Sequence, residues 1–442
     1  MVRILPLLLI LWFALPLAAE PVVDGEWPRW RGPFDNGVAR GAAPTKFSST
    51  ENILWKAEIP GRGHSSPVIW KERIFVTTAV DTGKPAEPKP AVAQAPAGGR
   101  PRPGGEMPLL EQRFVVMALD RATGKKLWEQ TAATETPNEG YYGTYGSYAS
   151  PSPVTDGKIL IVSFGSRGVY AYGLDGKLVW EKSFGKFEMR LGFGEGTAPV
   201  LHGDVLILNF DHQGDDFIVA LDKSTGKELW RKAREEESTW SAPLVIEHSG
   251  KTQVIVSATA RVKSYDIATG EELWQCGGLG LNAIPAPVYD GENVYVMTGF
   301  RDKNMFAIKL DGAKGDLTGS DHVLWQNDRG NSYTPSPVLD DGILYFTADN
   351  GMISALDAKT GAPYYVQQRL PNPTKLKSSP VAAGDYLYQA TEDGDVVVLK
   401  LGKEYAVEAV NHFPDEFFVA TPAIADGKIY LRGVNMLYAI GE

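Results

Sequence analysis

Apolar and polar residues alternate with a period of two in short runs along most of the chain. KILIV (158–162), DVLIL (204–208), ENVYV (292–296) and GILYF (342–346) are typical. Gly, Pro or Asp bounds each run within about a dozen residues, the pattern of half-buried strands and tight turns. No stripe with a 3.6-residue spacing argues for a helix. The runs are grouped into units. A Pro-hydrophobic pair opens strand A, as in SPVTDGKILIV (152–162) and APVYDGENVYV (286–296). A turn containing Gly leads to strand B, and a second hairpin leads to strand C. Strand C ends in Ala-Leu-Asp, and an Asp-x-x-Thr-Gly turn passes into strand D with Leu-Trp. The last stretch recurs as ALDRATGKKLW (118–128), ALDKSTGKELW (220–230), SYDIATGEELW (264–274) and ALDAKTGAPYY (355–365). A shortened copy is YGLDGKLVW (172–180), and a degenerate one runs from Ala307 through Asp311-Gly312 to Trp325.

The strand-A prolines are Pro67, Pro153, Pro199, Pro243, Pro287, Pro337, Pro380 and Pro422. Proline lacks an N–H, so it suits the first residue of a strand. Successive spacings fall in the forties to fifty except the first, which contains a Pro-, Gly- and Ala-rich stretch at 80–112, expected to be a disordered insertion in a B–C loop. Four short strands repeated at this period predict an all-β fold, an eight-bladed β-propeller of four-stranded antiparallel blades. The final unit stops at Tyr438-Ala439-Ile440 without a strand D, while Ile53-Leu54-Trp55 is a strand D with no A to C before it. The N-terminal strand is therefore expected to complete the eighth blade, so that residues 53–442 form one propeller. In this scheme each repeat Trp packs on the next blade, and the Gly of the turn supplies positive φ.

The chain has 442 residues, a net charge of −10 and no cluster of Lys and Arg. This balance repels a phosphate backbone, so nucleic acid is not an expected partner. Residues 1–19, MVRILPLLLILWFALPLAA, pair one basic residue with a short apolar run and end in small residues. They read as a cleaved signal peptide, which places the mature protein in the periplasm or outside the cell; an uncleaved anchor is the other reading. Residues 20–52 read as an N-terminal extended segment. No second run is long enough to span a bilayer. Cys276 is the one cysteine, so no internal disulfide is possible, and the six histidines show no HxxxH or HExxH pairing.

With these repeats in hand, the chain resembles the PQQ-repeat propeller superfamily, which holds the quinoprotein alcohol dehydrogenases and the outer-membrane assembly factor BamB. WPRWRGPFDNGVA (27–39) also resembles the opening of secreted PQQ-like propellers. For a quinoprotein, the resemblance implies PQQ with calcium, an adjacent cysteine pair and a calcium-binding Glu. The chain has one Cys, carries Gln213 near where that Glu would sit, and has no match to the family's catalytic Asp segment. For BamB it implies a lipid-bearing Cys, and none follows the leader.

Candidate chemistry lies where D–A and B–C loops gather at one end of the axis. Just upstream of strand A stand Arg62, His64, Tyr148, Glu195, Trp240, Asn282, Tyr333 and Lys377. These are the expected ligand-binding residues. The B–C turns add Arg167, Asp211, His212, Asp216, Asp349 and Glu392. The Tyr-rich octet YYGTYGSY (141–148) would hang over the axis and suit carbohydrate or peptide contact, with rim packing as the plainer reading. DHQGDD (211–216) has carboxylates and a His, but its spacing matches no standard metal loop. No catalytic residue, metal ligand or cofactor is assigned. The resulting expectation is an exported, monomeric, non-enzymatic scaffold for an envelope protein, small molecule or glycan. The alternatives are a PQQ/calcium-dependent oxidoreductase and a carbohydrate-binding propeller.

Overall fold

A computed structural model describes residues 25–86, 109–372 and 374–442. Its strands form eight sheets, antiparallel except for one added strand in blade 4. Blade 1 begins at Val68–Trp70 and ends at Lys126–Glu135. Blades 2 to 7 open with strands A at Val154–Thr155, Val200–His202, Leu244–His248, Val288–Tyr289, Val338–Asp340 and Val381–Ala383. Blade 8 takes strands A to C from Ala423–Ala425, Lys428–Arg432 and Met436–Ile440, and its strand D from Ile53–Glu58. Trp55 lies opposite Ala439 and Lys56 opposite Tyr438, so head and tail share one antiparallel ladder. The ring closes as the repeats predict, leaving no unpaired edge at the join.

Strands B and C are buried almost throughout, whereas strand D alternates, as in ELWRKA (228–233). Strand D is thus the outer edge, and apolar layers fill the space between adjacent sheets. One such layer joins Ile161 of blade 2 to Leu206 and Val219 of blade 3.

In five of the eight blades the repeated Trp ties its blade to the next. Trp55 Nε1–H donates to the Arg121 carbonyl, Trp180 to Lys223, Trp230 to Ile267 and Trp325 to Ala358, at 2.7–3.0 Å. Each acceptor is the residue after the Asp of the neighbouring turn. The Asp organises that turn: Asp222 Oδ1 accepts from the Thr225 N–H at 2.9 Å and its hydroxyl at 2.7 Å. The Ser224 hydroxyl, which also donates to Asp222 Oδ1 at 2.7 Å, and these Thr225 bonds hold its carboxyl below the usual aspartate range. The turn Gly answers two demands. Gly226 has φ +69°, and a Cβ there would lie 2.8 Å from the Trp180 ring. Gly226→Ala is therefore expected to destabilise by roughly 1–3 kcal/mol through backbone strain and overpacking. Urea denaturation checks this; a loss below a few tenths would mean that the ring is free to slide.

Blade 5 carries the degenerate repeat, and there the pattern changes. With no Asp-x-x-Thr-Gly turn to cover, Trp274 is buried against its own blade and donates to Gln253 Oε1 at 3.0 Å. The longer connection in blade 5 folds back instead. Gly315–Asp316 adds a fifth, parallel strand to blade 4, and Leu310 and Leu317 fill the seam.

The expected insertion at 80–112 is too wide. Residues 80–85 and 110–112 belong to strands B and C of blade 1, where Val80 pairs with Arg113, Asp81 with Gln112 and Pro85 with Leu110. The Asp-Thr-Gly at 81–83 looks like a turn, but it is held in the hairpin as Thr82 Oγ1 bonds Glu111 and Lys84 pairs with it at 3.0 Å. Residues 87–108, like the leader at 1–19, lie outside the described residues.

The extended segment has a structural role that its sequence did not disclose: residues 27–39 stopper the axial channel. Trp27 pairs with Ile69 of blade 1, and the Pro28 carbonyl accepts from Thr155 N–H of blade 2. Arg31 reaches the Pro337 carbonyl at 2.6 Å and the Pro380 carbonyl at 3.2 Å, while Ala39 N–H donates to Ala382. Trp30 Nε1–H donates to Thr421 Oγ1 of blade 8 at 3.1 Å. Arg31 is buried with no carboxylate in ion-pair range among the described residues, and desolvation, partly offset by Asp35, lowers its guanidinium to about 9. Gly37, at φ +79°, leaves the space that this guanidinium occupies.

Candidate functional site

The stopper lies at the level of the strands A, and among the described residues the axis opens on the side of the D–A loops. There it forms a blind cavity of about 240 Å³ whose lining includes Trp30. Tyr142, Tyr145, Phe193, Trp240 and Tyr333 contribute aromatic walls. The Tyr142 and Tyr145 rings stack at 4.6 Å, Tyr142 meets Phe193 edge-on at 5.5 Å, and Phe193 lies 6.2 Å from Trp240. The glycine-rich GFGEG connector (192–196) makes this packing possible. Gly194 has φ +86°, its carbonyl accepts from Trp240 Nε1–H at 2.7 Å, and a Cβ there would crowd Tyr141.

Of the eight residues expected at the mouth, His64, Glu195, Trp240, Tyr333 and Lys377 line this cavity. The other three stand behind it. Arg62 donates to the Thr144 carbonyl at 2.7 Å and lies over the Tyr141 ring, Asn282 Nδ2–H donates to the Tyr333 hydroxyl at 3.2 Å, and Tyr148 packs edge-on against Tyr141. They brace the wall. Sequence reasoning missed Trp30 and Phe193, whereas the octet expected over the axis supplies Tyr142 and Tyr145. Trp30 is far from any D–A loop in sequence, and nothing in the 27–39 stretch marks it as part of the site.

The charges at the mouth are largely spent on one another. Arg167 pairs with Glu195 at 2.8 Å and also donates to Asn138 Oδ1 at 2.6 Å. Lys377 pairs with Asp349, which also accepts from the Thr334 N–H and hydroxyl. His64 is held neutral: burial, reinforced by Arg432 and Arg62, pushes it down to about 3. A group so weakly basic is a poor proton acceptor at neutral pH. Burial pushes the Cys276 thiol up to about 11, so it is protonated and unreactive.

The DHQGDD loop turns Asp211 and Asp216 inward and leaves Asp215 exposed. Asp211 pairs with Arg234 at 2.6 Å, and Asp216 accepts from the N–H groups of His212 and Glu236 at 2.8 and 3.0 Å. Gln213 Nε2–H donates to Ser238 Oγ at 3.0 Å. No three His, Cys, Asp or Glu side chains cluster among the described residues.

Two carboxyls near this end give a pH dependence. Burial pushes both Glu139 and Glu236 from 4.5 up to about 7. The folded protein therefore binds these protons more tightly than the unfolded chain. Their contribution is full below pH 4.5 and is lost as pH rises through about 7. Urea midpoints should fall across that window, and Glu139→Gln should flatten the fall; an unchanged slope in the variant would exclude Glu139 as its source.

A family model described as outer membrane protein assembly factor BamB matches residues 112–362 and 258–440. Curated relatives carry the same description. The one from Francisella salina is 39% identical over 172 residues, covering 38% of this chain and 30% of its own. The one from Kangiella koreensis is 24% identical over 204 residues, covering 45% and 48%. The chain therefore spans less than half the length of these two relatives. The Yersinia pestis protein is 22% identical over 346 residues, covering 73% and 78%. Among solved structures, BamB from Moraxella catarrhalis superposes with a TM-score of 0.57 at 12% identity, over 88% of this chain and 98% of that one. Quinohemoprotein alcohol dehydrogenase from Comamonas testosteroni gives 0.60 at 11%, over 95% and 81%. At such identities the structural likeness is one of fold. On the breadth of the family match, the chain belongs to the family of the outer membrane protein assembly factor BamB.

Proposed function

We propose that the protein is an exported, non-enzymatic binding propeller of the cell envelope, and that its stoppered mouth receives part of a partner polypeptide. The observation that carries this reading is the character of the mouth: a blind aromatic cup in which Lys377 is paired with Asp349, Glu195 is paired with Arg167 behind it, and the histidine on the wall is a poor base. Such a surface can hold a neutral group but lacks an activated nucleophile. The apolar leader and the relatives' description as outer membrane assembly factors favour the envelope, and no helix among the described residues is long and apolar enough to cross a membrane.

The residues do not fit PQQ with calcium. That quinone is a planar tricycle with three carboxylates, whereas the cavity brings Glu195 to its wall and commits both Lys377 and Arg167 elsewhere. At about 240 Å³ the cavity is also smaller than the ~300–1,000 Å³ usual for drug-sized ligands. Gln213, near where the resemblance puts the calcium-binding Glu, is an amide whose Nε2–H donates to Ser238.

The test places a photo-crosslinking residue at Tyr145, on the mouth, or at Leu229, on the outer edge, in the full chain exported to the envelope. A discrete crosslinked polypeptide from Tyr145 and none from Leu229 is expected. Equal labelling from both positions would refute the reading. So would dye reduction by the purified protein with an alcohol, PQQ and Ca²⁺.

A further inference from the structure

The residue before each strand-A proline lies where neighbouring blades approach around the axis. In most of the ring its backbone N–H donates to a hydroxyl on the equivalent residue of the next blade. Ala286 donates to Ser336, Ser336 to Ser379, Ser379 to Thr421, Thr421 to Ser66 and Ser66 to Ser152, all at 2.9–3.1 Å. The belt then breaks, because the next three equivalent residues are Ala198, Ala242 and Ala286, which have no hydroxyl. The N–H groups of Ser152, Ala198 and Ala242 consequently have no hydrogen-bond partner among the described residues. A backbone N–H that no protein group engages remains able to donate to a ligand group brought against it. These three residues line the blind cavity. So does His64, which is only 9% exposed and whose Nε2 also lacks a partner.

We propose that the cavity is a binding site for a single aromatic ring flanked by amides, the chemistry that an aromatic residue of a polypeptide presents. The inference rests on the polypeptide-binding reading of the mouth and names what the mouth takes in. Trp240 and Tyr142 offer ring faces and edges to the aromatic group. The orphaned N–H groups in the belt gap offer donors to an amide carbonyl, and the His64 ring nitrogen offers one more polar contact. A charged terminus finds little here, because Lys377 and Arg167 are already neutralised.

The test titrates the full chain with N-acetylphenylalaninamide and follows tryptophan fluorescence, with N-acetylalaninamide and free phenylalanine as separate arms. Saturation is expected only with the first. Tighter binding of free phenylalanine would point to a small-metabolite site and overturn the polypeptide source. No saturation by any probe would overturn the site itself. Ala242→Ser supplies the missing hydroxyl to Ala198 N–H. It should weaken the probe by about three- to tenfold, the worth of one hydrogen bond, without lowering the thermal midpoint. Ala242→Cys adds similar bulk with a poor acceptor and should weaken it less; equal weakening would overturn the role of the belt gap. The outcome is separable from the crosslinking test. Crosslinking without probe binding sinks this site alone, and probe binding without mouth-specific crosslinking sinks the scaffold reading alone.

Discussion

Asp211→Ala is expected to remove about 3–5 kcal/mol of stability, the cost of leaving a buried charge without its partner. Both side chains of the Asp211–Arg234 pair are wholly buried, and they meet through two contacts of 2.6 and 3.1 Å. Asp211 also accepts from Asn209 Nδ2–H at 3.0 Å and from the Thr239 hydroxyl at 2.6 Å, while Arg234 donates to the Tyr265 hydroxyl at 2.6 Å. Removing the carboxylate thus strands a guanidinium and two other polar groups in a dry layer between blades 3 and 4. The double variant Asp211→Leu/Arg234→Met removes both charges and should recover a large part of the loss, since buried pairs cost nearly as much desolvation as they return. Urea unfolding of the three proteins decides the matter. A single-variant loss below about 1 kcal/mol, the range of exposed pairs, would mean that water reaches the pair.

The second large effect concerns ring closure. A chain beginning at residue 46 keeps strand D of blade 8 but loses the stopper. It is expected to remain folded with a lowered midpoint, because Trp27 and Arg31 leave behind empty volume and unpaired carbonyls. A chain beginning at residue 59 also loses the ladder from Ile53–Ile440 to Glu58–Met436 and the Trp55 contact with Arg121. It exposes strand C of blade 8 as a bare apolar edge and should show no cooperative unfolding transition. Circular dichroism against temperature distinguishes the two. A synthetic peptide of residues 25–58 added to the shorter chain should restore a transition. If the shorter chain alone melts as sharply as the longer one, the head strand does not hold the ring.

What was legible in the sequence was what is encoded locally. Strand alternation, the strand-A prolines and the Asp-x-x-Thr-Gly-Leu-Trp stretch each write their structure within a dozen residues, and together they defined eight blades and the shared eighth. The Trp packing was legible for the same reason, although its hydrogen bond to the next turn was not. The candidate site was half legible. Loop position alone brought His64, Glu195, Trp240, Tyr333 and Lys377 to the cavity, because a propeller fixes where its D–A loops meet. Whether a side chain faces the cavity or supports its wall depends on packing, which is why Arg62, Tyr148 and Asn282 fell behind it. The stopper stayed hidden because its partners are remote: Trp30 and Thr421 are 391 positions apart. The fifth strand of blade 4 stayed hidden because a two-residue strand such as Gly315–Asp316 has no periodicity to detect.

The union of head and tail also imposes an order on maturation. A ribosome makes Ile53–Glu58 long before Met436–Ile440, so the head must wait for nearly the whole chain before it finds its ladder. Until then both the ring and its bore stay open, and the apolar head is available for misplaced pairing. Contacts of such sequence separation are slow to form. The nascent chain therefore spends its synthesis as an unlatched arc and becomes a sealed cup only when its final strand arrives.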